Sequence, residues 1–112
     1  MKRARVGQGL RHIVDILSAH DEGLRHEVVM SELEKRMPPL PEESIESSVP
    51  GRTKYRLQMY FNTVGLTKAG WITRGKGTWR STDAGRAALV AYPSSEPFLE
   101  EIDRLYQAWK DG

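Results

Sequence analysis

The apolar positions of this chain fall into helical stripes, interrupted once by a pair of β-prone segments. Leu10, Ile13, Val14 and Leu17 are spaced i, i+3, i+4, i+7, which predicts a first amphipathic helix. The stripe fades at His20-Asp21-Glu22-Gly23, a natural stop. Leu24 leads into a second stretch with Val29, Met30, Leu33 and Met37 on one side. Lys35 and Arg36 favour the dipole at its C-terminus, and Pro38-Pro39 ends it. A third helix is predicted from about Thr53 to Ala69. Met59, Asn62, Leu66 and Ala69 share one face; Arg52, Arg56, Tyr60, Thr63 and Thr67 share another. Gly70 suits the residue that closes this helix.

Trp71–Arg74 and Thr78–Ser81 are β-prone and flank the turn Gly75-Lys76-Gly77, which predicts a short hairpin with a basic, flexible tip. Thr82 or Ser81 can cap a fourth helix, with Ala84, Ala87, Ala88, Leu89 and Ala91 as its small apolar face. Ser95 can cap a fifth, in which Phe98, Ile102, Leu105, Tyr106 and Trp109 make one side strongly apolar. A lone hairpin is marginal in water, so it must pack on the helices, with Ile72 and either Trp71 or Trp79 as anchors. The expected fold is mainly α with a small β-hairpin: a winged helix-turn-helix. It has a three-helix core, a two-stranded wing and two C-terminal helices, in a single domain over residues 1–112. Residues 38–51, PPLPEESIESSVPG, form a Pro/Ser/Glu-rich loop that is long for a compact domain. The sequence leaves open whether it moves, lies across the surface or touches a partner.

Composition narrows the function classes. Charged residues are 29% and hydrophobic ones 38%, a globular balance. No apolar run of about 18 residues is present, and no hydrophobic signal core follows Met1-Lys2-Arg3-Ala4-Arg5. A cytoplasmic location is therefore expected. Without cysteine there are no disulfides, thiol nucleophiles or Cys-ligated metals. His12, His20 and His26 form no close ligand pair, and no nucleophile-elbow or Walker pattern occurs. Gly75-Lys76-Gly77-Thr78 lacks the upstream Gly of a phosphate loop and precedes a strand. The acidic groups Glu42, Glu43, Glu46 and Glu100, Glu101, Asp103 lack the interleaved Lys of nucleases. No catalysis, metal or cofactor is expected within this chain.

The distribution of charge is more informative than the net +2. Residues 47–82 hold Arg52, Lys54, Arg56, Lys68, Arg74, Lys76 and Arg80 and no Asp or Glu, whereas both flanking segments are net acidic. Such focusing points to a polyanion, and the predicted helix fits the DNA major groove. The end that would enter the groove carries Arg52, Thr53, Lys54, Tyr55 and Arg56, followed by Gln58. Arg56 and Gln58 are the main base-reading candidates, since Arg pairs with guanine and Gln with adenine. Lys54, Lys68 and Lys76 suit phosphates. Arg74, Lys76 and Arg80 would carry the wing onto the backbone or into the minor groove. Tyr60 and Thr63 lie on the same expected face, and Trp79 is the aromatic expected to stack on a base or line a pocket for a modified one.

The stretch YRLQMYFNTVGLTKAGWITRGKGTWRSTDAGRAALVAYP resembles the N-terminal winged-helix domain of Mrr-type restriction proteins and domains fused to McrB-like ATPases. The likeness rests on Leu66, Lys68, Ala69, Gly70, Trp71 and Ile72, then Trp79, Thr82, Gly85 and Arg86, and a closing helix from Phe98 to Trp109. It spans roughly residues 8–110 and departs at Ser81, where the family carries an apolar residue, so looser wing packing is expected. The resemblance implies a specificity module of a bacterial defence system. It implies binding to double-stranded DNA, reading N6-methyladenine or 5-methylcytosine, and work alongside a nuclease or ATPase. The chain ends just after the last helix, as expected of a piece of something larger. The alternatives are a transcriptional regulator that forms a homodimer through residues 98–109, and a winged helix that docks a protein partner.

Overall fold

The computed structural model describes all 112 residues. Five helices carry the chain: α1 (Arg3–Ser18), α2 (His26–Arg36), α3 (Lys54–Lys68), α4 (Asp83–Ala91) and α5 (Ser95–Asp111). A small antiparallel sheet contains β1 (Leu24–Arg25), β2 (Ile72–Gly75) and β3 (Thr78–Ser81) in the order β1-β3-β2. The predicted hairpin is therefore the larger part of a three-stranded sheet. Its third member pairs Leu24 with Trp79 and Arg25 with Thr78. No helix is long and apolar enough to cross a membrane.

One contiguous core of 19 buried residues holds these elements together. The α1 stripe contributes Leu10, Ile13, Val14 and Leu17, joined by Ile16; α2 adds Val29, Met30 and Leu33. Both Trp71 and Trp79 are buried beside Ile72, so both indoles anchor the hairpin. Phe98 lies against the Trp71 ring at 4.9 Å and is buried with Leu99 and Ile102. The apolar side of the first half of α5 is thus consumed in the chain's own core, whereas Trp109 near its C-terminal end is exposed. The alanine face expected of α4 is narrower than its spacing suggested: Ala88 and Gly85 are buried, but Ala84, Ala87 and Ala91 face solvent.

Helix ends follow from local chemistry. Thr53 caps α3 by accepting the Arg56 N–H at 3.2 Å. At the other end the Gly70 N–H reaches Thr67 and the Trp71 N–H reaches Leu66, a paired closure that satisfies two orphan carbonyls. Thr82 caps α4 by accepting the Gly85 N–H at 3.0 Å. Ser94 stands at the α5 N-cap without a side-chain bond, and the expected cap Ser95 is already helical.

The loop over residues 38–51 is ordered by polar contacts. Pro41–Glu43 form a short 3-10 turn. Glu43, 4% exposed, accepts two bonds from the Arg5 guanidinium at 2.7 and 2.8 Å and a third from the Leu40 N–H. Downstream, Glu46 bridges to Thr53, the Ser47 N–H donates to the Arg52 carbonyl at 2.7 Å, and the Gly51 N–H donates to the Glu46 carboxylate. These bonds fold residues 45–54 into a tight return that delivers Arg52 to the start of α3. Its backbone partners are internal to the chain, and the segment lies at the surface.

Candidate nucleic-acid interface

The carboxylate-free segment folds into α3 and the β2–β3 hairpin, and its two halves meet at Tyr60. The Arg52 guanidinium lies 5.2 Å from the Tyr60 ring centre, and the Arg74 guanidinium, 22 residues away in sequence, also lies 5.2 Å from it. Cations near an aromatic ring are attracted by its quadrupole, so this convergence partly offsets their mutual repulsion. His26 packs edge-on to Tyr60 at 5.9 Å and stacks on Trp79 at 5.9 Å. A surface cleft of about 260 Å³ opens beside the cluster, lined by His26, Glu27, Met30, Arg52, Arg56 and Tyr60.

Strand parity decides where the hairpin cations point. Arg74 pairs across the sheet with Trp79, so both share the inner face. The Arg74 guanidinium accordingly turns back, donates to Thr63 Oγ1 at 3.0 Å and lies 5.7 Å from the Trp79 ring. Thr73 and Arg80, paired on the opposite face, are exposed. At the tip, Lys76 and Gly77 both have positive φ, 22° and 82°. That is the two-residue turn whose twist matches a hairpin, and one that Asn-Gly usually supplies. A lysine there is strained, and it is exposed.

Several expected contacts are corrected by burial. Tyr55 is completely buried, and its hydroxyl donates to the Met37 carbonyl at 2.7 Å. Burial pushes its phenol well above the ordinary value, so it stays neutral. Thr63 is also completely buried, donating to the Tyr60 carbonyl while accepting from Arg74. Trp79 is core, with no free face for a base. Thr53 is occupied as a helix cap. The part-exposed Arg56 guanidinium is paired with both Glu34 oxygens at 2.7 and 3.0 Å, which raises its pKa further. Gln58 turns away from Tyr60, toward a hollow shared with Met1, Lys2, Arg5 and Lys54.

What remains at the surface is Arg52, Lys54, Lys68, Lys76 and Arg80, with Tyr60 half exposed. Lys68 lies 4.1 Å from the Trp109 ring, which ties the end of α5 to the end of α3. Pattern reading missed Phe61, 63% exposed on α3 and the most exposed aromatic residue. Leu57, Tyr60, Phe61 and Val64 place apolar side chains away from the buried Met59–Leu66 face, so periodicity alone did not mark Phe61 as exposed.

Ser81 does not loosen the hairpin. Its hydroxyl accepts from Arg86 Nη1 at 2.9 Å, and Arg86 also bonds Asp83. The Thr82-to-Arg86 signature is therefore a structural joint between sheet and α4. Comparison of the chain with known family models, curated proteins and solved structures finds no match.

Proposed function

We propose that this chain is a winged-helix domain that binds double-stranded DNA and acts as a specificity module of a restriction system. The observation that carries the reading is the convergence of Arg52 and Arg74 on Tyr60. It joins α3 and the hairpin into one basic surface without a carboxylate of their own. The order helix, short strand, helix, helix, hairpin supports the winged-helix assignment, with α3 as recognition helix and β2–β3 as wing. The strained Lys76 supports it too: a costly backbone conformation is retained where a cation at the wing tip would meet phosphate.

In this reading Arg52, Lys54, Lys76 and Arg80 meet phosphates, and Arg74 braces the wing against α3. The resemblance to Mrr-type domains supplies the narrower part of the proposal: a methylated base as ligand, a nuclease or ATPase as effector, and a cytoplasmic, nucleoid-bound setting. Affinity for a duplex, measured by fluorescence anisotropy across salt concentrations, tests the general claim. The four cations assigned to phosphates predict a slope of log K against log salt of about −4. Arg52→Ala should reduce its magnitude by about one, while Arg56→Ala should leave it nearly unchanged because Glu34 already holds that charge. A salt-independent affinity, or none, would sink the proposal. Paired methylated and unmethylated duplexes test the narrower claim, which requires about a tenfold difference, roughly 1.4 kcal/mol.

A further inference from the structure

Arg56, in the first turn of α3, is held along one edge by Glu34 of α2. Its Nε donates to Glu34 Oε2 at 3.0 Å and its Nη2 to Glu34 Oε1 at 2.7 Å, with a longer bond from Nη2 to Ser31 Oγ at 3.4 Å. Nη1 is left without a partner in the chain. The guanidinium is a planar fork, so fixing one edge fixes the direction of the other donors. The pair is part-exposed, and Arg56 lines the cleft that also holds Arg52 and Tyr60. Much of the rotamer freedom that an unattached arginine gives up on binding is therefore already lost in folding.

Charge decides which acceptor suits the free edge. Arg56 and Glu34 together are neutral, and Glu27 adds a carboxylate to the same cleft, 3.7 Å from Arg25 and 3.6 Å from His26. A phosphate at Nη1 would meet the guanidinium and also the repulsion of both carboxylates. A neutral acceptor avoids that repulsion and still takes a charge-assisted bond. Base edges in the major groove are neutral, and guanine presents two acceptors there, N7 and O6, without a donor of its own. We propose that Glu34 is a positioning residue that aims the unpaired Nη1 edge of Arg56 at a guanine, so that Arg56 adds specificity without adding to the salt dependence. This rests on the DNA-binding reading above and names both the base that is read and the residue that sets the reader.

7-Deazaguanine lacks the N7 acceptor but keeps base pairing; inosine keeps N7 and O6 and lacks the minor-groove amino group. In the tightest-binding duplex from a selection, guanines are replaced one at a time by each analogue, and anisotropy is measured across salt concentrations. The wild type should lose about tenfold in affinity at one 7-deazaguanine position and little with inosine at the same position. Arg56→Ala should ignore the 7-deazaguanine replacement and keep the wild-type salt slope. Arg56→Lys, which retains the charge but not the fork, should also lose the discrimination. Glu34→Gln separates positioning from simple support of the fold. Its salt slope should steepen by about one as the Arg56 charge is released, while the 7-deazaguanine effect falls to about threefold or less. Equal wild-type affinities for every 7-deazaguanine duplex, discrimination that survives in Arg56→Ala, or a slope shallower by about one in Arg56→Ala would each overturn the inference while leaving DNA binding intact. Full discrimination in Glu34→Gln would overturn the positioning role. Absence of duplex binding by the wild type would remove both readings.

Discussion

Gly85 approaches Trp71 so closely that a Cβ on Gly85 would lie 2.1 Å from the Trp71 carbonyl oxygen. The contact is to backbone, which cannot swing aside. Around it, the same carbonyl accepts the Thr82 N–H at 3.1 Å, and the Thr82 hydroxyl donates to the Gly70 carbonyl at 2.6 Å. Gly85→Ala must separate α4 from the start of β2. It should cost at least the 1–3 kcal/mol of an overpacked core, roughly a 10 °C fall in Tm, measured by thermal denaturation.

The Arg5–Glu43 pair makes a second prediction. Burial pushes the Glu43 carboxyl up, but the bonds from Arg5 and the Leu40 N–H outweigh it and hold it below the usual range. A carboxylate depressed in the folded state stabilises the fold at neutral pH, and that contribution fades as pH falls through the folded-state pKa. Arg5→Leu leaves the buried charge without its partner and should destabilise by about 3 kcal/mol at pH 7. In urea titrations the gap between wild type and Arg5→Leu should narrow on acidification. A gap independent of pH would show that Arg5 acts by packing alone.

At the hairpin tip, stability and binding should move in opposite directions. Lys76 holds φ at 22°, a conformation in which Asn is several-fold more at home. Lys76→Asn should stabilise the protein by about 0.5 kcal/mol, seen as a modest rise in Tm, and weaken duplex binding by removing one phosphate partner. Loss of stability in this variant would contradict the strained-turn account.

The two ends of α5 should respond differently to truncation. Phe98 is completely buried against Trp71, and Phe98→Ala should cost about 3–5 kcal/mol. Trp109 is 51% exposed, with Lys68 over its ring, so Trp109→Ala should cost about 1 kcal/mol or less. Comparable losses in equilibrium unfolding would mean that the end of the helix is fixed more firmly than its exposure indicates.

These contrasts also mark how far the sequence was legible. The stripes of α1 and α2, the limits of α3 and the hairpin follow from local spacing and chemistry, although Gly75, read as part of the turn, belongs to β2. β1 did not, because Leu24 and Arg25 are too few to display alternation, and their pairing with Trp79 and Thr78 is a tertiary event. The order in residues 38–51 was hidden for a similar reason: Glu43 finds Arg5 from 38 positions away. Charge alone treated Arg56 and Arg74 as free, since Glu34 and Thr63 become their partners only after folding. The alanines of α4 reflect helix propensity more than burial, which is why their spacing overstated its apolar face.

β3 is flanked by strands on both sides, and the hairpin base is fixed by Trp71, Ile72 and Trp79 in the core. Only Lys76 and Gly77 lie outside the strand ladder at the tip, and an added Cβ at Gly77 would meet nothing. Ordering a residue costs about 1–2 kcal/mol of backbone entropy, so seating this hairpin on any partner forfeits only a few kcal/mol. A two-residue tip on a stem fixed in the core leaves most of the hairpin's entropy loss already met in folding.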